Sequence, residues 1–220
     1  MKPIKPDMKP AMKPVHIALN VLALCFAMSV LGRGLGESFT VFLLPISQGF
    51  GWDRAEVISI YSMAALAGGL AAPIVGRLFD RSGPRAVYSL GLILLGGAFL
   101  AAAYAQHLWQ FQFSLGFCVG LGIACIGNVP SSILLGRWFG PKLPTAMAVV
   151  YSATGAGVLI LLPLSQVLID RLGWRGAYQI FGGTALVLLL PLVLLPWKLF
   201  ASGSATLARS AATGLIDEGW

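Results

Sequence analysis

The chain has 220 residues, of which 57% are hydrophobic and only 10% charged. Soluble domains carry about 25% charged residues, so this composition excludes a water-soluble enzyme core and a disordered polar protein alike. The formal net charge of +7 does not mark a nucleic-acid binder, because the basic residues are thinly spread, without aromatic interleaving or a continuous stripe.

Residues 1–15 form a basic segment rich in lysine and proline. It has the charged character of a signal-peptide start, but the apolar run after it is too long and lacks a clear small-residue cleavage site. An uncleaved first span is therefore expected. About 20 apolar residues cross roughly 30 Å of hydrocarbon. Six segments qualify, at residues 15–46, 57–79, 86–106, 108–135, 145–169 and 176–199. The connections at 49–53, 82–84, 140–144 and 173–175 hold the glycine and proline breakers. No period-two alternation appears, which argues against a transmembrane barrel. Residues 201–220 are rich in Ser, Ala, Thr and Gly and read as a flexible tail. The expected fold class is an all-α membrane protein, with one six-helix domain over residues 16–200.

Basic residues set the orientation. Eleven of the fifteen Lys and Arg residues (Lys2, Lys5, Lys9, Lys13, Arg77, Arg81, Arg85, Arg137, Lys142, Lys198 and Arg209) fall on one side of a six-span topology. The other side carries three, Arg54, Arg171 and Arg175, and Arg33 lies within the first span. Both termini are expected to be cytoplasmic, in a multi-pass protein of the cell (inner) membrane.

Glycines and prolines punctuate the spans. Gly116 and Gly120 have close-packing spacing, and Pro73, Pro130, Pro163 and Pro191 sit where neighbouring helices can satisfy freed carbonyls. Cys25, Cys118 and Cys125 lie inside apolar stretches without CxxC spacing and read as packing residues, not as a disulfide framework or metal site. No G-x-S-x-G, H-E-x-x-H or P-loop is present. His16 and His107 fall on opposite sides of the expected membrane, so a Ser/His intramembrane protease is excluded. His107 reads as an interfacial residue. Trp52, Trp109, Trp138, Trp174 and Trp197 lie near span ends, as aromatic belts do. No cofactor or metal is expected.

The sharpest site candidate is a charged couple in the first span. Arg33 and Glu37 stand four residues apart and share a helix face. A central Arg costs roughly 2.5–3.5 kcal/mol to insert, so both are expected to face the bundle interior or a wet cavity. One reading makes Arg33 a substrate-anion contact and Glu37 a proton-linked carboxylate. The other makes them an internal ion pair that orients the first helix.

The strongest local pattern joins the second and third spans: Gly76-Arg77-Leu78-Phe79-Asp80-Arg81-Ser82-Gly83-Pro84-Arg85. It resembles the cytoplasmic loop motif of the major facilitator superfamily. Gly36 to Leu44, Phe50 to Arg54, Arg137 to Gly140, Thr145 to Ala148, Tyr151 to Gly155 and Asp170 to Tyr178 are similar to stretches of its monocarboxylate porter and oxalate/formate antiporter branch. The resemblance covers roughly residues 16–200. It implies one half of the fold, the N-terminal six helices, built as a three-plus-three inverted repeat with substrate between two halves. It also implies secondary active transport of small organic anions, by symport or antiport and alternating access, with protons as a candidate coupling ion.

The resemblance further implies that Gly76, Asp80, Arg81, Gly83 and Arg85 latch one half to the other. Because the family's first and fourth spans line the cavity, Asn128, Ser131 and Ser132 become secondary substrate-contact candidates, joined by Tyr61 and Tyr151 on the second and fifth spans. Interhelical hydrogen bonding is the competing role for each of these. Besides the lipid bilayer, the implied partner is a second six-helix half, either a separate chain or another copy of this one. Glu37 departs from the family, whose eukaryotic porters often carry a substrate-linked lysine at that place. A non-transporting remnant, or a scaffold that binds other membrane proteins, is the competing class.

Overall fold

A backbone surrounded by hydrocarbon must satisfy its own hydrogen bonds. The computed structural model describes residues 14–195, 197 and 200, and these are helical with no strand among them. The expectations for residues 1–13 and 201–220 lie outside the described residues.

Helices α1 (Pro14–Glu37) and α2 (Phe39–Phe50) run on as a single crossing. They meet at a tightened turn where Ser38 Oγ donates to the Leu35 carbonyl at 2.7 Å and Thr40 Oγ1 to the Glu37 carbonyl at 2.9 Å. Gly51, at φ 68°, ends the crossing. The Asp53 N–H then donates to Glu56 Oε2 at 3.0 Å, a capping-box bond that starts the next helix earlier than the apolar pattern indicates.

Helix α3 (Arg54–Tyr104) has 51 residues, about 75 Å if straight at 1.5 Å per residue and far more than one crossing needs. It breaks at Gly83, where φ 76° and ψ 173° leave the helical region altogether. That conformation is essentially restricted to glycine. Its two arms fold back side by side: a Cβ at Gly120 would strike the Ala64 carbonyl in the first arm, and one at Gly122 would lie 3.2 Å from the Gly91 carbonyl in the second.

The fourth crossing is composite. It comprises α4 (Leu108–Phe111), a π-helical stretch (Gln112–Cys118), α5 (Val119–Ile126) and α6 (Asn128–Phe139). A single 3₁₀ turn (Gly140–Lys142) leads into α7 (Leu143–Val187), which breaks at Gly173 with φ 71° and ψ 168°. Helix α8 (Leu189–Leu194) completes the last crossing. The described residues thus make six crossings, at 16–50, 54–82, 84–104, 108–139, 143–172 and 174–194.

The two breaks are counterparts. Asp80-Arg81-x-Gly83-x-Arg85-x-x-Tyr88 repeats as Asp170-Arg171-x-Gly173-x-Arg175-x-x-Tyr178, 90 residues later. Three crossings separate the two, so they lie at opposite faces, as an inverted three-plus-three repeat requires. Packing obeys the same relation. The first and fifth crossings touch where a Cβ at Gly157 would sit 2.6 Å from the Val30 carbonyl. Their counterparts, the fourth and second, touch where one at Gly68 would sit 3.2 Å from the Gly120 carbonyl. Lipid supplies no hydrophobic drive between helices, so such backbone approach carries the association. Gly116 belongs to this contact too, its added Cβ reaching the Ile60 carbonyl at 3.3 Å.

The tryptophans depart from the belt expectation. Trp109 is 64% exposed, but Trp138 and Trp197 are buried at 6% and 7%. The Trp138 Nε1 donates to the Phe200 carbonyl at 2.7 Å, and Trp197 Nε1 donates to the Leu192 carbonyl at 2.7 Å. Trp52 stacks on Phe50 at 4.4 Å, and Phe50 and Phe111 lie 5.8 Å from Trp174. Trp138 and Trp197 thus find both apolar contact and an acceptor inside the bundle, while half-buried Trp52 and Trp174 pack in an aromatic cluster with Phe50 and Phe111.

Candidate functional site

Where the first, second and fourth crossings meet, glycine and alanine leave room that larger side chains would fill. The result is a cavity of about 430 Å³. It falls in the size range of small-molecule sites. Its walls include Phe39, Ile60, Leu115 and Ile123, with Phe99 from the third crossing and Tyr178 from the sixth.

Four of the seven expected substrate contacts come together there: Arg33, Glu37, Tyr61 and Asn128 all line the cavity. Tyr151 does not, and it is 52% exposed on α7. Ser131 and Ser132 bond within their own helix, with Ser131 Oγ donating to the Gly127 carbonyl at 2.9 Å and Ser132 Oγ to Val129 at 2.8 Å.

Arg33 and Glu37 stand one helical turn apart on half-buried positions. They do not pair with each other: no N···O approach within 4.0 Å joins them. Glu37 instead accepts a hydrogen bond from Tyr61 Oη at 3.2 Å, which ties the first crossing to the second. The Tyr61 ring stacks on Phe39 at 6.2 Å. The guanidinium of Arg33 has no hydrogen-bond partner among the described residues. The internal ion pair that the spacing allowed is therefore replaced by a carboxylate held by a tyrosine and a cation facing the cavity.

Two features lay beyond the sequence reading. The fourth crossing breaks at Gly127, with φ −89° and ψ −139°, directly before cavity-lining Asn128. Irregular backbone at membrane depth is tolerated only where protein buries it or it lines a cavity, and Gly127 itself lines this one. Tyr178 is 1% exposed, and its hydroxyl has no partner among the described residues. The repeated Asp-Arg-x-Gly-x-Arg-x-x-Tyr pattern was the available signal for it.

In the loop motif, Gly83 makes the reversal described above, and Asp80 is exposed. A Cβ at Gly76 would meet Val129 only at 4.0 Å, an ordinary contact, so close approach within this bundle does not explain that glycine. The Arg137 guanidinium lies 5.6 Å above the Phe79 ring, which packs the start of the next loop against this one.

A six-crossing, internally inverted bundle of apolar helices around a charged cavity defines a multi-pass membrane protein. Sequence comparison supplies the family: the profile of the Major Facilitator Superfamily matches residues 22–215, and the chain belongs to that family. It is 28% identical over 178 residues to the uncharacterized MFS-type transporter YcxA of Bacillus subtilis (strain 168), covering 81% of this chain and 44% of that protein. It is 30% identical over 168 residues to monocarboxylate transporter 3 of Mus musculus, covering 76% of this chain and 34% of that one. With monocarboxylate transporter 11 of Homo sapiens it shares 31% identity over 180 residues, 79% of this chain and 38% of the relative. The chain spans less than half the length of these relatives.

Proposed function

We propose that this chain supplies one wall of a secondary active transporter for small organic anions. The other wall is a second six-helix half, either a separate segment or another copy. The supporting observation is Arg33, a cation without a described partner on the wall of a 430 Å³ cavity. Keeping a guanidinium at bilayer depth costs several kcal/mol on most scales, and a substrate carboxylate offsets that through a bidentate pair. Asn128 and Tyr61 orient the bound anion. Tyr151, on an exposed face of α7, meets the second half.

Alternating access follows from two halves rocking about this site, with Gly76, Asp80, Arg81, Gly83 and Arg85 latching them on the cytoplasmic side. Both termini are cytoplasmic in the cell membrane, and residues 16–200 are the transporting domain. Glu37 adds a condition. When the cavity closes, its charge needs a counter-charge, either a proton or a cationic group.

The test is uptake of radiolabelled butyrate into proteoliposomes holding the chain with a complementary half. Saturable uptake that Arg33→Gln abolishes, at unchanged protein incorporation, is expected. Uptake indifferent to Arg33→Gln overturns the assignment.

A further inference from the structure

The cavity holds opposite charges that leave each other alone. At four-residue spacing on a helix, Arg33 and Glu37 are neighbours whose Cβ atoms lie about 5–6 Å apart, so a side-chain ion pair is within easy reach. The structure does not make it: no N···O approach within 4.0 Å joins the two. Tyr61 draws the carboxylate towards the second crossing through the 3.2 Å hydrogen bond to Glu37 Oε2. Two half-buried charges left unpaired each pay a desolvation cost that pairing would have offset. An occupant carrying both signs would offset both.

From this we infer that the substrate class is zwitterionic: a small carboxylate that also bears an ammonium group a few bonds away. The carboxylate takes the Arg33 fork. The ammonium meets Glu37, beside the stacked rings of Phe39 and Tyr61, whose centroids lie 6.2 Å apart. Aromatic faces attract a desolvated cation, so these rings reinforce the same end of the site. The carbon linker between the charges lies against Ile60 and the small side chains of the second crossing, which also line the cavity.

Charge balance favours this occupant over a simple anion. A monocarboxylate neutralises Arg33 and leaves Glu37 charged in the closing cavity, so a proton must accompany it. A zwitterion neutralises both residues and closes the site with no ion left over. The inference rests on Arg33 as the carboxylate contact proposed above, and replaces the proton on Glu37 by the ammonium of the substrate itself.

The experiment compares three probes of one carbon skeleton: 4-aminobutyrate, butyrate and n-butylamine. Equilibrium binding of each radiolabelled probe is measured on the chain assembled with a complementary half in lipid nanodiscs, with thermal melting confirming that every variant folds. A charge-assisted hydrogen bond is worth about tenfold or more in affinity, so 4-aminobutyrate is expected to bind at least about tenfold tighter than either single-charge probe. Glu37→Gln is expected to bring the ratio of 4-aminobutyrate to butyrate affinity to about one, whereas Arg33→Gln abolishes saturable binding of both carboxylates. Butyrate binding as tightly as 4-aminobutyrate, with that binding still lost in Arg33→Gln, overturns the zwitterion and leaves the anion reading standing. A preference for 4-aminobutyrate that survives Glu37→Gln also overturns it. Absence of saturable binding of all three probes by the folded assembly of the two halves overturns both readings.

Discussion

Tyr61 governs how the charged couple is arranged. Its hydroxyl bond to Glu37 is the contact that keeps the carboxylate turned from Arg33, and removing it lets an ordinary one-turn ion pair form. Tyr61→Phe is therefore expected to lower butyrate affinity about tenfold, the weight of one hydrogen bond to a charged group. The melting temperature in detergent should move little, since Tyr61 is 40% exposed. Unaltered butyrate binding in Tyr61→Phe would show that Glu37 stays away from Arg33 for another reason. The charged residues themselves were legible as site candidates, because Arg and Glu inside an apolar run stand out against lipid. Their separation was not legible, since spacing along one helix cannot report a tyrosine that arrives from the next. Tyr178 escaped notice for a related reason: a tyrosine in an apolar segment reads as packing until its hydroxyl proves to be without a described partner.

Among elements, the crossings are broken in two ways that differ in how visible they are. Gly83 and Gly173 announce themselves through flanking charge and proline or tryptophan, and both sit at positive φ, 76° and 71°. Alanine at either position is expected to cost about 1–3 kcal/mol of backbone strain. Gly97→Ala and Gly183→Ala are the matched controls, because an added Cβ meets nothing within 4 Å at either; there alanine should be neutral or slightly stabilising in a helix. Thermal melting of the four variants in detergent separates the two classes, and equal melting across all four would refute the strain argument. The break at Gly127 and the π-helical stretch (Gln112–Cys118) left no comparable trace, because both lie inside one continuous apolar run. Only the packed structure reveals that a Cβ at Gly127 would press on the Ile123 carbonyl at 2.8 Å. Gly127→Ala should consequently shift Asn128 and weaken probe binding more than it lowers stability, which parallel binding and melting measurements resolve.

At the scale of the whole molecule, six crossings place the Gly83 and Gly173 reversals at opposite membrane faces. Single cysteines at Ser82 and Leu172, introduced after replacing Cys25, Cys118 and Cys125, should label from opposite sides with a membrane-impermeant maleimide in oriented vesicles. Labelling of both from one side would contradict the topology. The first and fifth crossings meet at Gly34 and Gly157, where an added Cβ at Gly34 would come within 2.9 Å of the Gly157 carbonyl. Gly157→Leu should therefore destabilise the bundle by several kcal/mol through overpacking, read as a lower melting temperature. The number and order of crossings were readable because hydrocarbon thickness dictates run length; the cavity was not, because it depends on which small residues face one another across helices. The duplicated reversal has a last consequence. Because the same kind of reversal recurs at both faces, the backbone gives little instruction on which way up the bundle sits. That choice is expected to fall to the lysines and arginines at its rims, and relocating several of them is expected to invert the bundle.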